Sequence, residues 1–152
     1  MNRHEFPQRR GEPPLVSGPH PHEQVTQTAP VEIQERLFAW AILLPGVVVG
    51  PSYVAISGTR ALHLSPALAR GPLEAFLAGT EFAHFHPAYD GSMHLTLPKD
   101  ILQAAVDAGW GVSHPVSGAL LLYGPRDETE LDVARTILQL SYGHATGHAE
   151  QH

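Results

Sequence analysis

The chain has 152 residues, 43% of them hydrophobic and 16% charged, with 14 Gly, 14 Pro and no Cys. That length suits one domain around one core, and a charged fraction below the ~25% of an average soluble domain points to a compact globule. Nine basic against fifteen acidic residues give a formal charge of −6, and Lys99 is the only lysine, which argues against a nucleic-acid partner.

The absence of cysteine excludes a disulfide scaffold, an iron–sulfur site, a thiolate zinc site and a cysteine nucleophile. No apolar run reaches the ~18–20 residues of a membrane span, and no apolar segment follows the N-terminal arginines. A cytoplasmic protein without a membrane partner is the expectation. Eleven histidines are the anomaly of the composition.

Residues 1–28 carry Pro7, Pro13, Pro14, Pro19 and Pro21 among polar residues. With little apolar content to offset ordering entropy, they read as a mobile Pro-rich arm. A helix follows, with Pro30 at its start, Glu32 and Glu35 near its positive end and Pro45-Gly46 beyond it. Its apolar stripe is Ile33, Leu37, Trp40, Ala41 and Leu44.

Val47 to Val49 and Tyr53 to Ile56 have strand composition, as has the short run Ala61 to Leu64. Ser65 to Leu77, interrupted by Gly71-Pro72, predicts a helical turn and a loop. Thr80 to His86 and Ser92 to Leu97 form a hairpin across the turn-rich Pro87–Gly91. Pro98 opens a helix that runs through Ala108 to Gly109, and Ala119 to Tyr123 is an apolar strand. The last helix starts at Asp127, with Glu130 three residues on, and stops near Gly143. The order predicts an α+β fold: a single domain, a mostly antiparallel sheet and helices on one face. In residue terms the arm is 1–28, the domain 29–144 and a disordered His-containing tail 145–152.

Strict alternation along the hairpin puts Thr80, Phe82, His84 and His86 on one face and Glu81, Ala83 and Phe85 on the other. With a Pro87–Gly91 loop, His84 pairs with His94, and three imidazoles share the even-numbered face. Three uses fit such a cluster. His84, His86 and His94 can hold one zinc or iron ion, can accept a proton from an acidic enol or phenol, or can simply be a hydrogen-bonded polar face. The last corresponds to a non-catalytic binding or interaction module.

Beside the hairpin, Glu81 is a candidate buried acid, and His114 a fourth imidazole from a loop. Trp110, between two glycines, and Tyr123 are candidates to stack on a ligand, and Arg126 to bind an anionic group.

The strings EFAHFH over 81–86, GSMHLTL over 91–97, AGWGVSHP over 108–115 and LYGPRDE over 122–128 resemble the fungal luciferase family. The resemblance extends over roughly residues 47–143. It implies a cofactor-independent oxygenase: a hydroxylated pyrone, hydroxyhispidin, reacts with O₂ to a cyclic peroxide, and loss of CO₂ leaves an excited product that emits light. The ligands so implied are a small aromatic molecule and O₂. On this resemblance His84, His86, His94, His114 and Glu81 are the expected catalytic set. The chain departs from the family in having the Pro-rich arm in place of an N-terminal hydrophobic anchor. It also shortens the loop between Pro115 and Leu120.

Overall fold

The computed structural model describes residues 5–148. A two-stranded ladder of β1 (Val16–Ser17) and β2 (Glu23–Gln24) precedes helix α1 (Val31–Ala41). Strands β3 (Val47–Pro51) and β4 (Arg60–Leu64) follow, then a single 3₁₀ turn (Leu73–Ala75) and the hairpin β5 (Glu81–Phe85) and β6 (Met93–Leu95). Helix α2 (Lys99–Asp107), strands β7 (Gly111–Ser113) and β8 (Leu120–Leu122) and helix α3 (Glu128–Thr146) complete the chain. The main sheet has the order β3-β4-β5-β6-β8-β7, antiparallel throughout. The α+β architecture expected from the sequence is therefore present.

Local chemistry accounts for the helix limits. The Asp127 carboxylate accepts the Glu130 backbone N–H at 2.9 Å and caps α3. The helix runs past Gly143, where the sequence predicts its end, and stops at Gly147 in the left-handed region. Residues 145 and 146 are thus helical rather than part of a tail, and 149–152 lie outside the described residues.

One face of the sheet presents Leu62, Leu64, Ala83, Phe85, Met93, Leu95, Leu120 and Leu122 to Ile33 and Leu37 of α1, Ile101 of α2, and Leu131, Ile137 and Leu138 of α3. His84 pairs with His94 and His94 with Leu121, so these three lie on the opposite face.

Two predicted elements differ. Tyr53 to Ile56 is a turn and not a strand, because the Ser52 hydroxyl accepts the N–H groups of Val54 and Ala55 at 3.1 and 3.0 Å. Gly111–Ser113, which the sequence leaves as a connection, pairs with β8 as an edge strand.

The expected mobile arm is packed against the domain. Arg9 donates its backbone N–H to Ala108 O at 2.9 Å, and its guanidinium lies 5.0 Å above the Tyr123 ring. Arg10 pairs with Asp127 at 2.6 Å, and the buried Gln24 side chain accepts the Gly124 N–H at 3.0 Å. Hydrophobic counting misses this segment because polar groups with satisfied hydrogen bonds dock it.

A buried histidine cluster beneath a cavity

The hairpin turn sets the geometry of the site. Asp90 N–H donates to Pro87 O at 2.9 Å, Gly91 takes φ +77°, and His86 N–H reaches Ser92 O at 3.0 Å. A residue with a side chain would be strained at Gly91. This loop gives the predicted register, Ala83 to Leu95, His84 to His94 and Phe85 to Met93.

At the other end of β5 the alternation breaks. Leu62 pairs with Ala83, but His63 pairs with Glu81, leaving Phe82 as the extra residue of a bulge. Phe82 consequently turns into the core, where its ring meets Tyr142 edge-on, and Glu81 moves to the histidine face. Strict alternation places both on the wrong faces. The candidate buried acid is nevertheless beside the cluster: Glu81 is fully buried, with Oε2 2.8 Å from His84 Nδ1.

His84, His86 and His94 are all buried, and one nitrogen from each converges on a common point. His84 Nε2 is 3.2 Å and His86 Nε2 3.0 Å from His94 Nδ1. The outward nitrogens all have partners. His84 Nδ1 faces Glu81; His86 Nδ1 faces Ser92 Oγ at 2.9 Å and Asp90 Oδ2 at 3.1 Å; His94 Nε2 faces His22 Nδ1 at 2.8 Å.

Burial alone would raise the Glu81 carboxyl, but hydrogen bonds from His84, the Tyr53 N–H and the Ser52 hydroxyl outweigh it and hold the group below its ordinary range. Asp90 is held low against burial in the same way by His86 and Ser92. With both carboxylates ionised, each facing Nδ1 carries a proton, so that in the neutral form of either ring Nε2 is the bare nitrogen.

Desolvation lowers His84, opposed by the Glu81 hydrogen bond, and lowers His94 much further with the help of its imidazole neighbours. His22 is pushed down to about 4, by burial first and then by His114 and His86. His84, His94 and His22 are thus neutral near pH 7.

A cavity of about 620 Å³ opens over this cluster. The three convergent histidines and His114 line it, and Pro19, Val54, Ile56 and Leu77 supply apolar walls. Its size falls within the ~300–1,000 Å³ usual for small-ligand sites. His114 stands apart from the convergent trio. Its Nδ1 accepts the N–H groups of Val116 and Ser117 at 3.0 and 3.2 Å, and its ring contacts His22 and His94 edge-on.

The candidate ligand-stacking and anion-binding residues lie elsewhere. Trp110 is buried in the core and donates Nε1–H to Pro7 O at 2.6 Å. Tyr123 is buried beneath Arg9, and Arg126 is committed to Glu130 at 2.5 Å and to Arg10 O at 2.7 Å. None of the three lines the cavity. Conversely, sequence reasoning passes over His22 and Asp90, and it sets Ser92 opposite His86 without giving it a role. Asp90 leaves a trace, a carboxylate four residues after His86 inside a tight turn. His22 leaves only the pattern Pro19-His20-Pro21-His22.

The fold and site define an α+β domain with a cavity floored by buried imidazoles and fit for a small ligand. Residues 79–141, which contain all four cavity histidines of the hairpin and the following loop, match the Luciferase domain family. The luciferases of Armillaria gallica and Armillaria mellea are 35% identical over 72 residues, covering 41% of this chain and 27% of each relative. The luciferase of Neonothopanus nambi is 33% identical over the same length. The chain therefore matches only about a quarter of the length of these curated relatives. No solved structure matches it significantly. The family this chain resembles is the fungal luciferase family.

Proposed function

We propose that the cavity is the active site of an O₂-dependent oxygenase that acts on an enolisable pyrone or phenol of the hydroxyhispidin kind. The observation that carries this reading is His84, which lines the cavity and whose Nδ1 is backed by the buried Glu81 carboxylate, so that its basic nitrogen is Nε2. His84 takes the acidic hydroxyl proton of the ligand, and Glu81 stabilises the imidazolium that forms. The resulting enolate is the electron-rich species that reduces O₂. One O₂ is consumed and one CO₂ released per substrate, so no separate reductant enters the balance. Val54, Ile56 and Leu77 keep water from the peroxide.

The test mixes purified protein with hydroxyhispidin in air and follows oxygen uptake, CO₂ release and light together. Equal uptake and release above a heat-denatured control is the expected result. Uptake no faster than in that control would overturn the reading for this substrate class.

A further inference from the structure

The point where His84, His86 and His94 meet has an electrostatic problem. Two bare Nε2 atoms face one Nδ1, and the His94 ring nitrogen can offer at most one proton, to one of them. At 3.0–3.2 Å one proton on Nδ1 would have to serve two acceptors, and with the proton on Nε2, toward His22, three lone pairs converge with no donor among them. A cation at the common point removes the conflict for all three nitrogens. The two spacings to His94 Nδ1 agree, since ligands ~2.0–2.1 Å from one ion stand ~3.0–3.4 Å apart, and all three nitrogens lie within 4.8 Å of one another.

Charge points the same way. Glu81 and Asp90 are both fully buried, and their ion-pair partners among the described residues are His84 and His86, not an arginine or lysine. Two buried carboxylates with no arginine or lysine against them are costly, and a divalent ion at the centre balances them. The carboxylate–histidine contacts are also the outer-shell arrangement that fixes ring tautomer and orientation around protein-bound metals.

We propose that His84 Nε2, His86 Nε2 and His94 Nδ1 bind one divalent ion of the zinc(II) or iron(II) class. Three neutral nitrogen donors select such first-row ions over magnesium or calcium. The remaining coordination positions face the cavity, where a deprotonated hydroxyl oxygen of the ligand is a suitable donor. Binding of the ion stands without the oxygenase reading. A use in turnover rests on that reading and replaces His84 as base, since a coordinated Nε2 has no lone pair for a proton and the ion, as a Lewis acid, would acidify the ligand hydroxyl instead.

The experiment uses the full chain made without a metal-affinity tag and stripped with a chelator. Zinc binding is measured by calorimetry, with cobalt(II) as an absorbing substitute. Expected are one equivalent bound at micromolar protein, a cobalt spectrum of nitrogen coordination, and at least 100-fold weaker binding in His94→Ala. His94→Gln, which keeps a polar side chain of moderate bulk, guards against loss of the fold, monitored by circular dichroism. Asp90→Asn weakens binding by about 10–100-fold through its effect on His86. His63→Ala, outside the cluster, leaves binding unchanged. Wild type that binds no more tightly than both folded His94 variants would overturn the proposal, including any binding by scattered histidines. Full oxygen uptake without stoichiometric metal sinks the metal and leaves the oxygenase. Metal without uptake does the reverse.

Discussion

Glu81 and His84 stand three residues apart on β5 yet meet at 2.8 Å on one face, because Phe82 is bulged out of register between them. In an unbroken strand they would point to opposite faces. The contact fixes the proton on His84 Nδ1. In Glu81→Gln the new amide can donate to that nitrogen instead, which reverses the tautomer and places the proton on Nε2. Turnover should fall ~100-fold or more, the usual scale of a lost general base. Stability should fall by about 1–3 kcal/mol, since at least one of three donors loses its acceptor. Long-range ¹H–¹⁵N spectra of the imidazoles check the tautomer directly.

His84→Ala separates chemistry from architecture. Oxygen uptake should drop to the level of the denatured control, while the far-ultraviolet circular dichroism stays that of the wild type. Wild-type uptake in this variant would remove His84 from the role of base.

Arg126 belongs to the frame of the protein on the geometry described. Its guanidinium neutralises Glu130, which is 2% exposed and held below its ordinary range against burial by bonds from the Arg126 side chain and N–H. A carboxyl depressed in the folded state adds stability above its unfolded pKa and loses it as pH falls through the folded one. Glu130→Gln should therefore be less stable than wild type at pH 7, with the gap closing below about pH 4.5 as the wild-type carboxyl takes up its proton. Arg126→Ala should cost about 2–4 kcal/mol at neutral pH, because it strands a buried charge. The KM for the aromatic ligand should not change. A raised KM with unchanged stability would return Arg126 to the binding site.

Arg9→Ala tests the docking of the N-terminal segment. The lost stacking on Tyr123 and the lost hydrogen bonds to Gln27 Oε1 and Glu12 O should together cost about 2–4 kcal/mol. Limited proteolysis should cut within residues 10–28 several-fold faster than in wild type. Equal cutting rates would mean that Arg9 does not hold the segment.

Much of the scaffold was legible in the chain. Loop length fixed the pairing of His84 with His94, and Asp127 with Glu130 marked the start of α3. The bulge was not legible, because a period of two carries no sign of its own interruption, and Phe82 and Glu81 each have a plausible place on either face. Tyr53 to Ile56 has strand composition but is turned by a serine hydroxyl, a local bond that propensity does not register. His22 was hidden for a different reason. Its partner lies 72 residues away, and hydrogen bonds rather than apolar burial draw its segment in. Trp110 and Tyr123 show that aromatic residues at strand ends reveal their burial but not the face they fill.

The cavity has two origins in the chain. Its floor, with His84, His86, His94 and His114, comes from the stretch shared with the fungal luciferases, whereas Pro19 to Glu23 and Val54 to Ile56 roof it from outside that stretch. A fragment cut to residues 79–141 would carry these four imidazoles without the residues that roof them. The same division lets the walls of the cavity be rewritten while the imidazole floor is left alone.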